Sequence, residues 1–331
     1  MPFGYSKLQF RGFVHGDNTG SNPVEGANHL QALSAHFQNL SLAWRLFACE
    51  ISLRLAGSNA TSMSLDRIVH MTSPLWWHAA KIQPWPLSYG HVHVWAWTWD
   101  ESHDAPTDVL ASEEFERMQR FRFRGDQVRY AVCHDRMRRL LGAYAGKQPA
   151  TLRFAVNSYG KPRLHADDGG DRLRFNLSHT RQSAVLAISW GLELGVDIEE
   201  HKPLPPGEVE VFFSARERAA LRELQGDVWL AAFYRCWTRK EAVLKAEGCG
   251  LTLDLSSFSV NLDSEPAVPL VHWEEHADRR TVWHLHSLTP GPGLSGCVAT
   301  SEVPGSVQHF LLEEAWILAQ SEAKASPSSR V

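Results

Sequence analysis

The sequence is short of several things, and each absence removes a class of function. Its 331 residues hold five cysteines, an odd number, with no Cys-x-x-Cys pair. A disulfide framework or a cysteine-built zinc site is therefore not expected. No apolar run approaches the ~18 residues that mark a membrane-spanning helix. No sign of charge dominates: the formal net charge is −4, so nothing global argues for nucleic acid as a partner. A P-loop and a Gly-x-Ser-x-Gly elbow are both missing, which sets aside two common routes to nucleotide and acyl chemistry. The first residues lack the basic-then-apolar pattern of a secretory signal, so a cytoplasmic protein is expected. What is present is 44% hydrophobic and 21% charged residues, the balance of a globular protein with a substantial core.

Residues 1–90 show no sustained periodicity. Helix-compatible stretches such as 30–55 are broken by Gly, Ser and Asn, and Trp76, Trp77 and Trp85 sit among Pro and His. A loosely ordered extension is expected there, either dispensable or a cover for the core. Order begins at Gly90. His91, His93, Trp95, Trp97 and Trp99 alternate with Val92, Val94 and Ala96, the pattern of a strand covered on both faces. Residues 112–142 read as a helix with a break at Gly125. Strands are expected at 153–156 and 173–175, with turns between them. Residues 183–190 and 193–198 read as an apolar hairpin around Gly191. Ser214-Ala215-Arg216-Glu217 is a capping box that should open a helix. Residues 229–247 form a second long helix ended by Gly248 and Gly250. Strands are expected at 257–262, 281–287 and 296–300, before a polar tail. The order suggests an α+β protein of two halves, each of ~100 residues.

Four local patterns carry chemistry. In Gly195-Val196-Asp197-Ile198-Glu199, a strand sends Val196 and Ile198 into the core and Asp197 and Glu199 to the other face, about 7 Å apart along the backbone. Two neighbouring carboxylates suit a hard divalent cation; the plainer reading is an exposed face with two unrelated acids. In the helix around Trp237-Thr238-Arg239-Lys240-Glu241, Glu241 and Lys245 are neighbours on one face. They fit either a third metal ligand beside a phosphate partner or an ordinary salt bridge on a solvated helix. Asn176-Leu177-Ser178-His179 offers hydroxyl and imidazole donors for a phosphate, or is a polar turn. Eight arginines lie between Arg117 and Arg139. They suit an anionic small molecule, an acidic protein or nucleic acid, or form a solvated face. His272-Trp273-Glu274-Glu275-His276 matches a zinc-protease pattern that needs a helix, whereas strands are expected around it.

These pieces follow one another in an order that resembles the 4'-phosphopantetheinyl transferase superfamily. The order is Tyr159-Gly160-Lys161-Pro162, then Asn176-Leu177-Ser178-His179, Gly195-Val196-Asp197-Ile198-Glu199, Phe212-Phe213-Ser214, and the segment from Trp237 to Lys245. The resemblance is to the long, pseudo-dimeric type that activates surfactin synthetase and covers roughly residues 91–303. It implies two similar α/β halves related by a pseudo-twofold (91–195 and 196–310), flanked by the 1–90 extension and a 311–331 tail. Asp197, Glu199 and Glu241 would be the magnesium carboxylates, with Mn²⁺ also admissible. Lys245 would partner the pyrophosphate of coenzyme A. Arg117, Arg129, Lys161, Pro162, Ser178 and His179 would line its nucleotide end. The enzyme, a monomer acting on neither nucleic acid nor membrane, would move the phosphopantetheine arm onto a serine of an apo acyl or peptidyl carrier protein. The serine would attack the β-phosphate and 3',5'-ADP would leave. Glu241, directly or through a water, would take the serine proton. A non-catalytic coenzyme A or nucleotide-binding module is the alternative.

Overall fold

The computed structural model describes residues 78–79, 86–100, 107–206, 210–263, 271–273 and 282–312. The expectations for the extension, apart from its last few residues, and for most of the tail lie outside these. The alternating segment forms β2 (Val92–Thr98), which follows a two-residue β1 (His78–Ala79). Its two faces do enter different cores. Trp95, Trp97 and Trp99 pack with Val132, Met137 and Leu141, while Val92, Val94 and Ala96 pack with Val196, Ile198 and Val298.

The arginine-rich segment forms α1 (Ser112–Gln119) and the 22-residue α2 (Arg124–Ala145). The break falls at 120–123 rather than at Gly125. Phe123 is extended and its carbonyl accepts the amides of Asp126 and Gln127, so the new helix starts there with Gly125 inside its first turn. A small ladder of β3 (Phe154–Val156) and β4 (Pro162–Leu164) follows, then β5 (Leu173–His179), β6 (Ser183–Trp190) and β7 (Leu194–Glu200). The capping box holds as read: Ser214 Oγ accepts Glu217 N at 3.2 Å, and Glu217 Oε2 accepts Ser214 N at 2.9 Å, opening α3 (Ala215–Arg222). α4 (Gly226–Glu247) ends at Gly248, which adopts φ 65°. Short strands β8 (Phe258–Ser259) and β9 (His272–Trp273) pair, and β10 (His284–Leu288), β11 (Leu294–Thr300) and β12 (Val307–Leu311) complete the order. His272 thus lies on a strand, not on a helix.

The strands form a five-stranded sheet, β1-β12-β2-β6-β5, and a three-stranded sheet, β10-β11-β7. The architecture is mixed α+β. The expected hairpin between β6 and β7 does not form: β6 pairs with β2 on one edge and β5 on the other, and β7 pairs with β11. With both edges of β6 occupied, β7 has no ladder to join there, and the turn at Gly191 carries the chain into the second sheet. β12, in which only Phe310 of five residues is buried and no alternation marks a strand, was not expected and runs parallel to β2. α2 covers the tryptophan face of the larger sheet, and the second core fills the space between the sheets.

Candidate active site

β7 and α4 meet at backbone distance. A Cβ placed on Gly195 would lie 2.2 Å from the Ala242 carbonyl oxygen and 2.3 Å from the Ala246 nitrogen. Only glycine permits that approach, which places Asp197 of β7 beside Glu241 and Lys245 of α4. Val196 and Ile198 are fully buried on the core face, as the alternation requires. Asp197 is 1% exposed. Its Oδ1 accepts from Lys245 Nζ at 2.6 Å and from Ser178 Oγ at 2.9 Å. Lys245 also donates to Ser178 Oγ at 3.0 Å. Lys245 therefore makes its close ion pair across the elements with Asp197. The plainer reading of a salt bridge with Glu241 along a solvated helix is not what forms, because this face of α4 is buried.

Glu241 lies 3% exposed. Burial, then the charges of Asp197 and Glu199, push its pKa up to about 8 against the opposing pull of Lys245. Burial alone would lower the Lys245 pKa, but the charges of Asp197, Glu241 and Glu199 outweigh it and raise it. Three carboxylates and one ammonium thus share one field. Glu199 is half-buried at the rim. Asp197 Oδ2 and Glu241 Oε1 are buried without a hydrogen-bond partner. A buried acceptor left in this state costs about 1–3 kcal/mol, more when charged. Two such oxygens in an anionic pocket fit a hard divalent cation, which takes oxygen donors. Among the described residues no three such side chains stand gathered closely enough to hold a metal as they are; Lys245 supplies the countercharge. A cavity of about 680 Å³ lies elsewhere, between α3 and the start of α4, lined by Arg218, Arg222 and Trp229 among others.

The other sequence-derived residues divide into groups. Ser178 faces Asp197 and accepts Ile198 N at 3.2 Å, so its one donor and both lone pairs are engaged within the protein. His179 ends β5 beside it. Lys161 donates to the carbonyls of Leu194 at 3.0 Å and Ala246 at 2.8 Å, fastening the β3–β4 turn to β7 and to the C-terminal turn of α4. Burial pulls its pKa down to about 8, with Glu193 opposing. Pro162 is buried at the start of β4. Arg129 pairs with Asp126 on its own helix, and Arg117 lies over the Tyr130 ring at 5.9 Å.

Three of the eight arginines are not surface residues at all. Arg136, Arg138 and Arg139 are buried, bonded respectively to the Thr98 carbonyl, to Glu114 with the Pro149 and Leu152 carbonyls, and to Asp135 with Asp108. Two important groups were missed. Lys240 and Glu217 form an ion pair at 2.8 Å with both side chains 0% exposed. Asn176 bonds to β7 from the neighbouring strand. Lys240 stands in the polar run Thr238-Arg239-Lys240-Glu241, which gives no sign of its burial; Asn176 belongs to the Asn176-Leu177-Ser178-His179 pattern, but nothing local says that it bonds to β7.

An enzyme with a buried acid–base cluster between a strand and a helix is the class that this fold and site define. Two family models match the chain: "4'-phosphopantetheinyl transferase, N-terminal" over residues 95–190 and "4'-phosphopantetheinyl transferase superfamily" over residues 193–299. The chain is 32% identical over 220 residues to the 4'-phosphopantetheinyl transferase HetI of Nostoc sp. PCC 7120, covering 65% of this chain and 88% of that protein. It is 28% identical over 226 residues to Sfp of Bacillus subtilis strain 168, covering 68% of this chain and 98% of that protein. The chain belongs to the 4'-phosphopantetheinyl transferase superfamily, in the Sfp-like type. It is an enzyme that transfers phosphopantetheine to carrier proteins.

Proposed function

We propose that transfer takes place where β5, β7 and α4 meet, with coenzyme A as donor and Mg²⁺ (Mn²⁺ in its stead) held by Asp197, Glu199 and Glu241. The observation that carries this reading is the pair of unpartnered oxygens, Asp197 Oδ2 and Glu241 Oε1, in the field shared with Glu199 and Lys245. The cation would neutralise the pyrophosphate of coenzyme A and act as a Lewis acid toward it. Lys245 would offer its ammonium to the same phosphates. The carrier serine oxygen forms a bond to the β-phosphorus as the bridging oxygen leaves with 3',5'-ADP, and Glu241 receives the serine proton. Charge grows on phosphate oxygens in this step, so the cation and the Lys245 ammonium, held in place beforehand by the carboxylates, would account for most of the acceleration.

Arg117, Arg129, Pro162 and His179 are assigned to the nucleotide end. Lys161 and Ser178 join them with a condition. Lys161 spends two of its three N–H donors on carbonyls, and Ser178 has none to spare, so a Ser178 contact requires exchange of an internal bond. The recurrence of one 22-residue helix against each sheet supports two related halves, 91–195 and 196–310, about a pseudo-twofold. The exposed arginines Arg120, Arg122 and Arg124 suit a carrier acidic around its serine. No described helix is long and apolar enough to cross a membrane; a monomeric cytoplasmic enzyme is part of the proposal.

Incubation with coenzyme A, Mg²⁺ and a panel of apo-carriers, read by intact mass, tests the reading. One carrier at least should gain a single phosphopantetheine; coenzyme A binding with no carrier modified would favour the non-catalytic module. The metal assignment also predicts a pH dependence. A cation must displace the Glu241 proton below pH about 8, so apparent Mg²⁺ affinity should rise by roughly tenfold per unit as pH climbs toward that value, then level. Calorimetry in two buffers of different ionisation enthalpy would show one proton released at pH 6.5 and almost none at pH 9; equal release at both removes Glu241 from the ligand set.

A further inference from the structure

β5 and β7 are edge strands of separate sheets and share no backbone ladder. An edge strand turns alternate amides toward empty space, and buried amides without partners are costly. Here side chains take them. Asn176 Oδ1 accepts Val196 N at 2.8 Å, and Ser178 Oγ accepts Ile198 N at 3.2 Å. Both rungs join residues 20 apart in sequence, so the two strands run in the same direction. Asn176 and Ser178 share one face of β5 because they are two apart. The residue between the two bonded amides is Asp197, whose other neighbour across the sheet is Cys297 of β11. Side-chain rungs hold strands wider than the ~4.8 Å of a backbone ladder, and in that gap Ser178 also reaches Asp197 Oδ1.

We infer that Asn176 is a positioning residue for the Asp197 carboxylate: with Ser178 it forms a two-rung side-chain ladder that closes the seam between the sheets and fixes the backbone on both sides of Asp197. The inference rests on the reading of Asp197 as a metal carboxylate. Asn176 is 7% exposed and acts through Val196, not on substrate. Groups that orient a metal ligand typically carry about 10–100-fold of metal affinity.

The test is Mn²⁺ binding to the full chain, by electron paramagnetic resonance without substrate, together with exchange of the Val196 amide. Asn176→Ala should weaken Mn²⁺ at least tenfold and expose Val196 N–H to exchange. Asn176→Asp, which keeps an acceptor oxygen at the same reach, should bind within a few-fold of wild type. Asn176→Leu, which fills a similar volume but offers no acceptor, should lose affinity as alanine does and serves if the alanine variant does not fold. Leu177→Ala removes packing on the opposite face of the same strand and should bind normally despite lower stability. Unchanged binding in Asn176→Ala, or an equal loss in Leu177→Ala, overturns the inference. If wild type and Asp197→Ala bind Mn²⁺ alike, the metal reading fails and the inference falls with it. If Asp197→Ala loses Mn²⁺ and the Asn176 variants do not, the metal reading stands and the ladder's role alone is refuted.

Discussion

Replacing Asp197 by alanine should cut phosphopantetheine transfer by about 10³-fold or more while the protein stays folded. A metal ligand facing the reacting phosphates contributes several kcal/mol of charge stabilisation, and each ~1.4 kcal/mol is tenfold in rate. Folding should survive because two effects oppose. Lys245 loses its 2.6 Å partner and Ser178 loses an acceptor. Against this, burial and the charges of Asp197 and Glu199 together push the Glu241 pKa up to about 8, and loss of the first of those charges relieves repulsion in the buried pocket. Asp197→Asn keeps the shape and one acceptor oxygen, and should be as inactive with even less effect on melting. Steady-state transfer to an apo-carrier across a Mg²⁺ titration, beside thermal melts of both variants, decides the matter. Full activity at raised Mg²⁺ removes Asp197 from the ligand set, and loss of the folded state in both variants would recast it as a structural residue.

The second large effect is on stability and comes from one residue before Glu241. Lys240 uses all three N–H donors: on Glu217 Oε2 at 2.8 Å, on the Leu255 carbonyl at 2.7 Å and on the Phe258 carbonyl. It also sits 4.2 Å from the centroid of the Phe258 ring. Glu217 in turn takes the amides of Ser214 and Val260. The pair therefore binds α4 to the start of α3 and to β8 at the level of Glu241. Removing either partner leaves a charge buried and unanswered, a loss of about 3–5 kcal/mol. Lys240→Ala should accordingly lower Tm by roughly 10 °C or more. Lys240→Met with Glu217→Gln removes both charges while keeping an acceptor for one of the two amides, and should be more stable than the sum of the single losses implies. A double-mutant cycle on chemical denaturation measures this coupling, expected near the upper end of the ~0.5–3 kcal/mol range for contacting groups. Single variants within about 1 kcal/mol of wild type would show that the pair is dispensable.

Much of the site was legible because its parts are short and periodic. Alternation in Gly195-Val196-Asp197-Ile198-Glu199 placed two apolar residues inside and two acids on the other face. A capping box placed the start of α3 at Ser214, and Gly248 marked the end of α4. The strand from Val92 to Thr98 announced two buried faces through tryptophans on one side and small apolar residues on the other. Each of these is a contest between neighbouring side chains, settled within one or two turns of chain.

What the chain spells out unaided is therefore which residues look inward and where elements begin and stop, since those depend on neighbours along the backbone. Pairing was decided only in three dimensions. β7 leaves β6 for β11, and three arginines of a seemingly basic surface turn inward to carbonyls and acids. Lys245 answers an aspartate 48 residues away instead of the glutamate one turn before it. Local patterns carry no information on which edge is already taken or which buried charge lacks a counterion, and the folded chain resolves both by satisfying every polar group it can reach.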